Sequence, residues 1–331
     1  MEQRSSDPGK QRRASRRKRV PQRGARLRDR DIDILLALAK MRLLRTSDLG
    51  RLFFDSIGTC QKRMRKLYDA GLVRAIVTEL AAENRYALSR LGYALLEEAI
   101  DEDELPAWRP APRTDGRSIA HLDLLNRFRI ALACEAPRFE GKLVRFVPEW
   151  DLRAGQPRAQ IIPDAIAIVS TSAGHLTLAV EVDTGSEAPA AVAKKVRAYE
   201  QAELMRQAVF GAVAPNIVIL TPSPRRARSV AKSIAQVGGG RRVWIGAAPF
   251  VVENGGLVSG LARVGGLASK TVTPSEADFG LGLLAAAART GVGAVQPATS
   301  VNRGRVQQRA VLRHFTGSSR AAVARSRSAV R

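Results

Sequence analysis

The stretch LAVEVDTGSE, residues 178–187, begins as a buried β-strand and then places two acidic residues two positions apart. Because side chains alternate along a strand, Glu181 and Asp183 point to the same face. Two carboxylates so close repel each other, so a positive neighbour, a protonated carboxyl or a solvated strand end is expected. The positive neighbour is either a metal ion or a basic side chain.

A third acid, Asp164, stands at the start of the preceding predicted strand, in IIPDAIAIVS. If the two strands form an antiparallel hairpin, the start of one lies beside the end of the other. Asp164, Glu181 and Asp183 then converge at one rim as metal ligands, and such oxygen ligands favour Mg²⁺ or Mn²⁺. The alternatives remain that Asp164 only begins a strand and that the other two acids are solvated.

The segments around these strands predict an α/β domain over residues 119–251. A helix AHLDLLNRFRIALACEA precedes the strands KLVRFVPEW, PDAIAIVS and HLTLAVEVD. The helix AVAKKVRAYEQAELMRQA, the strand NIVILTP, the helix PRRARSVAKSIAQ and the strand RRVWIGAAPFV follow. This order is αβββαβ extended by αβ.

Residues 27–100 predict a winged helix-turn-helix: three helices, a strand pair and a further helix. On the third helix, Ile57 to Gly71, an advance of ~100° per residue gathers the apolar side chains on one side. Basic side chains face the other way, as a helix in a DNA groove requires. The alternative is an ordinary solvated surface. The predicted DNA-contacting residues are Thr59, Lys62, Arg63, Arg65, Lys66 and, in the wing, Arg85.

Charge favours a nucleic-acid partner. The chain has 54 Lys and Arg against 31 Asp and Glu, a net charge of +23, and such an excess attracts polyanions. No apolar run approaches the ~20 residues that span a bilayer. We expect a disordered basic arm over residues 1–26, a linker over 101–118 and a basic tail over 301–331. Residues 252–300 are rich in Gly and Ala, without a clear pattern.

The cysteines and histidines predict no zinc site and no disulfide framework. Cys60 and Cys134 are far apart, as are the three histidines, and both cysteines are typical of small core residues. A reducing compartment is expected, and the protein is predicted to be cytoplasmic and associated with the nucleoid or a plasmid.

The order of these motifs resembles known families. A PD motif followed by E-x-D within αβββαβ resembles the PD-(D/E)XK restriction-endonuclease-like superfamily. The whole arrangement is similar to the replication-relaxation family of plasmids and integrative elements. The matching segments lie between about residues 28 and 222: RDRDIDILLALAKMRLLRTSDLGRLFF, RMRKLYDAGLV, YALSRLGYALL, HLDLLNRFRIAL, PDA, EVDTGSE and KKVRAY.

The resemblance implies binding of double-stranded DNA and a role in plasmid replication, with replication or conjugation proteins as further partners and a homodimer left open. It also implies a lysine two residues after Glu181, where this chain has Asp183. Lys194 or Lys195 could replace that lysine, or could form a structural salt-bridge cluster with the acids. Lys195 and Tyr199 are four apart and share a helix face.

Three functions therefore stay open: a DNA-binding protein with a degenerate nuclease-like domain, a metal-dependent endonuclease or nickase, and a winged-helix transcriptional regulator. For the second, the predicted catalytic residues are Asp164, Glu181, Asp183, Lys194 and Lys195. Divalent-metal dependence separates the second function from the others.

Overall fold

The chain divides into two compact units, residues 1–114 and 115–331. The computed structural model describes residues 27–76, 83–112, 115–139, 141–155, 161–171, 174–201, 215–240, 242–253 and 261–264. The predicted basic arm and basic tail, and most of residues 252–300, lie outside the described residues. Within the described part of the chain, no helix is both long and apolar enough to cross a membrane.

Unit 1 has the element order predicted for a winged helix: helix, short strand, two helices, hairpin and helix. The three strands form an antiparallel sheet in the order β1-β3-β2. The elements are α1 Asp29–Met41, β1 Leu44–Arg45, α2 Thr46–Phe53, α3 Ile57–Asp69, β2 Val73–Ile76, β3 Arg85–Leu88, α4 Arg90–Ala99 and a 3₁₀ turn Glu102–Glu104.

Helix α4 packs closely against the turn that precedes β2. A Cβ atom added at Gly92 would lie 2.2 Å from the Leu72 carbonyl oxygen, so only glycine fits there. The Ser89 hydroxyl caps α4 by accepting the Gly92 N–H at 2.9 Å and donates to the Gly71 carbonyl at 2.6 Å. These contacts hold the start of α4 against residues 71–72, which lead into β2.

The predicted linker, residues 101–118, divides between the two units. In unit 1, the Tyr93 hydroxyl donates to the Pro106 carbonyl at 3.0 Å. The ring centroids of Tyr93 and Trp108 lie 5.2 Å apart in an edge-to-face arrangement. In unit 2, Asp115 caps the first helix by accepting the Ser118 N–H at 2.8 Å. Pro106 and Trp108 of this segment therefore contact helix α4.

Unit 2 is built on a six-stranded mixed sheet in the order β4-β5-β6-β7-β8-β9. Strands β4, β5 and β6 are antiparallel, β6, β7 and β8 are parallel, and β9 is antiparallel to β8. The elements are α5 Gly116–Glu135, a 3₁₀ turn Ala136–Phe139, β4 Lys142–Pro148, α6 Glu149–Gly155, β5 Ala165–Thr171, β6 Gly174–Val182, α7 Pro189–Gln201, β7 Asn216–Thr221, α8 Pro224–Gln236, β8 Val243–Ala247, a π-helical turn Pro249–Glu253 and β9 Leu261–Arg263.

The predicted αβββαβ order is confirmed, with two additions. The first addition is helix α6. The predicted strand KLVRFVPEW ends at Pro148 in the structure, and its last two residues begin α6, EWDLRAG. Strand β9 lies in the Gly- and Ala-rich region whose sequence shows no clear pattern. Cys60 is buried and Cys134 is half-buried, and neither forms a disulfide.

The hairpin of β5 and β6 has the antiparallel register that the sequence predicts, with Ala165 opposite Val180. Asp164 therefore lies beside the end of β6. Helices α7 and α8 cover one face of the sheet and bury a shared apolar core. That core includes Ala179, Val196, Tyr199, Ile217, Ile219, Val230, Ala231, Ile234 and Ile245.

Candidate functional site

Helix α3 in unit 1 has the two-sided character that the sequence predicts. Cys60, Met64 and Leu67 are buried, while Thr59, Lys62 and Lys66 are exposed. The Ser56 hydroxyl begins the helix by accepting the Thr59 N–H at 3.3 Å. The buried stripe fixes the rotation of the helix, so the two lysines are held facing solvent.

Two arginines of the predicted DNA-contacting set form ion pairs within unit 1 instead of standing free on that face. Arg63 donates from Nε to Asp31 Oδ1 at 2.6 Å and forms an ion pair with its other oxygen. Asp31 is fully buried in α1 and raises the pKa of Arg63 through the hydrogen bond. Arg65 donates to Asp69 at 2.8 Å. Both arginines therefore have a structural role that the sequence pattern does not reveal.

Arg85 begins β3 and is half-exposed, with Nη1 donating to the Glu83 carbonyl at 3.4 Å. Residues 77–82, between β2 and β3, lie outside the described residues. Contact between Arg85 and DNA stays a prediction.

In unit 2, Asp164 and His121 meet at the end of the sheet. The Asp164 Oδ2 atom accepts the Val182 N–H at 2.7 Å and lies 3.0 Å from His121 Nε2, which α5 supplies. Burial alone would raise the pKa of Asp164, but His121 and the Val182 N–H lower it. Burial alone would lower the pKa of His121, but Asp164, Glu181 and Glu149 raise it above its ordinary value.

Glu181 is buried between the sheet and α7, and both its oxygens accept hydrogen bonds. Lys195 donates to Oε2 and the Tyr199 hydroxyl to Oε1. Burial and the charge of Asp164 raise the pKa of Glu181 to about 7, although Lys195 and Tyr199 act in the opposite direction. Burial and the negative charge of Glu181 also raise the pKa of Tyr199.

Lys195 stays charged within this cluster. Burial alone would lower its pKa, but Glu181 and Asp164 raise it above the ordinary value. The neighbouring Lys194 is exposed, because one residue turns the side chain ~100° around the helix. Of the two lysines that the sequence leaves open, the structure thus brings Lys195 to the carboxylates.

Asp183 has partners different from those of Asp164 and Glu181. Arg226, in the first turn of α8, donates from Nε and Nη2 to the two Asp183 oxygens at 2.6 and 3.1 Å. The Gly185 N–H donates to Oδ1 at 2.8 Å. Arg226 also donates to the Glu187 carbonyl at 2.6 Å, so this pair ties α8 to the loop after β6.

The arrangement does not fit the predicted Mg²⁺ or Mn²⁺ site. Both Glu181 oxygens and Asp164 Oδ2 accept hydrogen bonds from protein donors, whereas these metals require several available oxygen ligands. Among the described residues, no group of three or more His, Cys, Asp or Glu side chains is placed to hold a metal ion. The positive neighbours of the acids are basic side chains.

Sequence patterns identify some of these contacts and miss others. The i, i+4 spacing of Lys195 and Tyr199 places both on one face of α7. No local spacing of this kind predicts the contacts of His121 and Arg226. The contact of His121 with Asp164 depends on how α5 packs against the sheet. The contact of Arg226 with Asp183 depends on α8 starting beside β6, which requires the parallel pairing of β6 and β7.

A family model described as replication-relaxation matches residues 35–213, more than half of the chain. The chain belongs to the replication-relaxation family. The match covers most of the winged-helix elements and the carboxylate cluster, and it ends before α8.

No curated protein matches the chain. Among solved structures, the restriction endonuclease FokI is similar, with 12% sequence identity and a TM-score of 0.27. The similarity covers 69% of this chain and 43% of the endonuclease chain, so less than half of that protein's length is spanned.

Proposed function

We propose that this replication-relaxation protein binds double-stranded DNA through the exposed face of α3, and that the carboxylate cluster of unit 2 does not cleave DNA. The observation that carries the first part is the position of Lys62 and Lys66 on that face. Their helix is the second helix of a helix-turn-helix arrangement, the position that enters the major groove in proteins of this class.

The charge of the chain supports the same partner. A net charge of +23 favours association with a polyanion, and lysines on a fixed helix face neutralise phosphates without reading sequence. Thr59 is exposed near the start of α3, and we expect it to contact base edges or phosphates. Family membership supports the further proposal that the DNA belongs to a plasmid or other mobile element.

The contacts around Glu181 support the second part of the proposal. The two Glu181 oxygens accept hydrogen bonds from Lys195 and Tyr199, so both are engaged by donors of the protein itself. Asp183, paired with Arg226, is likewise engaged. The cluster thus has the residue types of a nuclease site in an arrangement that holds α5, α7 and the sheet together.

One observation favours a second candidate, a metal-dependent endonuclease or nickase. Lys195 reaches Glu181 from the next helix, as the superfamily resemblance implies for a chain with Asp183 in place of the usual lysine. In that case Lys195 would supply positive charge near a reacting phosphate.

Duplex binding tests the first part. In the full chain, Lys62→Ala together with Lys66→Ala should reduce the slope of log K against log salt by about 1.8, since each lost phosphate contact removes ~0.9. The control is Lys142→Ala with Arg145→Ala, which removes the same charge from exposed positions on β4. An unchanged slope in the α3 variant contradicts this assignment.

Plasmid cleavage tests the second part. Supercoiled plasmid is incubated with the protein in Mg²⁺, in Mn²⁺ and in EDTA, beside the Asp164→Ala and Glu181→Ala variants. We expect binding without nicking in every condition. Nicking that requires metal and both carboxylates would establish the endonuclease instead.

A further inference from the structure

The outer face of the α7 and α8 layer in unit 2 carries a set of exposed cations that the carboxylate cluster does not use. Helix α8 contains no acidic residue, and α7 contains only Glu200. We call these residues the α7–α8 cationic surface. Its members, all exposed, are Lys194 and Arg197 on α7 and Arg225, Arg228 and Lys232 on α8.

The fold fixes the direction in which these side chains leave the protein. Ala227, Val230 and Ile234 of α8 are buried against the sheet. Arg225, Arg228 and Lys232 repeat at spacings of three and four residues on the opposite side, so they form one stripe. The Ser223 cap and the Arg226–Asp183 pair hold the first turn of α8 in place.

The two helices present their cations side by side. Arg197 of α7 donates from Nη1 to the Val237 carbonyl, just after α8, at 2.9 Å. Glu200, the acid of α7, accepts the Gly240 N–H at 3.1 Å and so faces the loop that follows α8. Positive charge therefore dominates the exposed side of this layer.

Like charges three or four residues apart on a helix repel one another, and this surface contains three such pairs: Lys194 with Arg197, Arg225 with Arg228, and Arg228 with Lys232. A polyanion would relieve that repulsion. At 1.5 Å per residue the α8 stripe extends about 10 Å. Phosphates of one DNA strand advance ~3.4 Å along the duplex axis while winding around it, so the stripe is long enough to contact two neighbouring phosphates.

We propose that the α7–α8 cationic surface is a second binding surface for the DNA backbone, separate from α3 and independent of sequence. The inference rests on the proposed DNA-binding function and extends it to unit 2. Phosphate contacts of this kind position a protein on DNA and carry little sequence information.

The test uses the full chain and a labelled duplex of about 30 base pairs, with affinity measured across a salt series. Arg228→Ala with Lys232→Ala should reduce the slope of log K against log salt by about 1.8. The Lys142→Ala, Arg145→Ala variant removes equal charge from β4 and should leave the slope close to wild type. Because all four side chains are exposed, the circular dichroism spectra of both variants should match that of the wild type.

The outcomes separate this inference from the proposed function. If the α3 variant lowers the slope and the α8 variant does not, DNA binding stands and the second surface is overturned. If the α8 variant lowers the slope and the α3 variant does not, the second surface stands and α3 is not the contact. If the wild type shows no salt-dependent duplex binding, both are overturned.

Discussion

Two buried carboxylates, one in each unit, differ in what surrounds them. Asp31 in unit 1 is fully buried and has a bidentate arginine, Arg63, and the Arg28 N–H as donors. Glu181 in unit 2 is almost as buried but shares its environment with a second acid, Asp164, a lysine and a tyrosine. Burial and the charge of Asp164 raise the pKa of Glu181 to about 7.

The difference shows that burial of an acid does not by itself mark a functional site. A buried carboxylate with one well-matched cation has a structural role, because the cation neutralises its charge and donates hydrogen bonds to its oxygens. Two neighbouring carboxylates repel each other when both are charged. This repulsion favours the protonated form of one of them and so raises its pKa. Five substitutions and a pH series test this distinction.

The largest expected effect is the loss of the cation beside Asp31. Arg63→Ala leaves a buried carboxylate without its main partner and should destabilise unit 1 by about 4 kcal/mol. Hydrogen–deuterium exchange of peptides from α1 and α3 measures this. Lys62→Ala, which removes an exposed charge one residue away, should leave exchange nearly unchanged, and equal effects of the two would show that Arg63 is not structural.

Arg226→Ala should have a somewhat smaller effect, about 3 kcal/mol in unit 2, because Asp183 keeps the Gly185 N–H as a donor. Urea denaturation of the full chain, followed by exchange of peptides from α8, measures the change. The matched control is Arg225→Ala, an exposed neighbour. A stable Arg226→Ala protein would mean that Asp183 is solvated after all.

The raised pKa of Glu181 predicts a dependence of stability on pH. Between its ordinary value of 4.5 and about 7, the folded protein keeps a proton that the unfolded chain releases. Stability should therefore fall as pH rises, by about 2 kcal/mol from pH 5 to 7.5. Denaturation midpoints at several pH values check this, and Glu181→Gln should flatten the dependence.

His121 contributes in the same direction, because its pKa is also raised and its stabilising charge is lost as pH rises. Asp164 and Lys195 titrate outside this window, since the pKa of Asp164 is lowered and that of Lys195 is raised. A His121→Gln variant separates the two contributions. If Glu181→Gln retains the full pH dependence, Glu181 is not the group responsible.

The smallest effect is expected at Arg65, which pairs with Asp69 four residues along α3. Asp69 is itself buried, but Arg65 is half-exposed, so solvent screens the pair and its contribution should be about 1 kcal/mol. Arg65→Ala should therefore shift the denaturation midpoint only slightly, and less at high salt. An effect as large as that of Arg63→Ala would remove the contrast between the fully buried Asp31 pair and the partly exposed Asp69 pair in unit 1.

The sequence predicts the elements of this protein better than the partners of its charged side chains. Periodicity identifies α3 and its exposed lysines, and alternation identifies β5 and β6, because both patterns are local. The partners of Arg63 and Asp183 are 32 and 43 residues away. No local sequence pattern indicates which residue pairs with which. The spacing of Glu181 and Asp183 likewise predicts a shared face, but it does not reveal that Arg226 pairs with Asp183.

The register of the β5–β6 hairpin separates two ends of unit 2. Thr171 pairs with Gly174 at the turn, and Ala165 pairs with Val180 beside the carboxylates, so about 20 Å of paired strand lies between them. A short peptide tag or a labelled cysteine inserted between Thr171 and Gly174 should therefore leave the Glu181 cluster chemically intact. The turn offers a place to attach a probe that follows the protein on DNA.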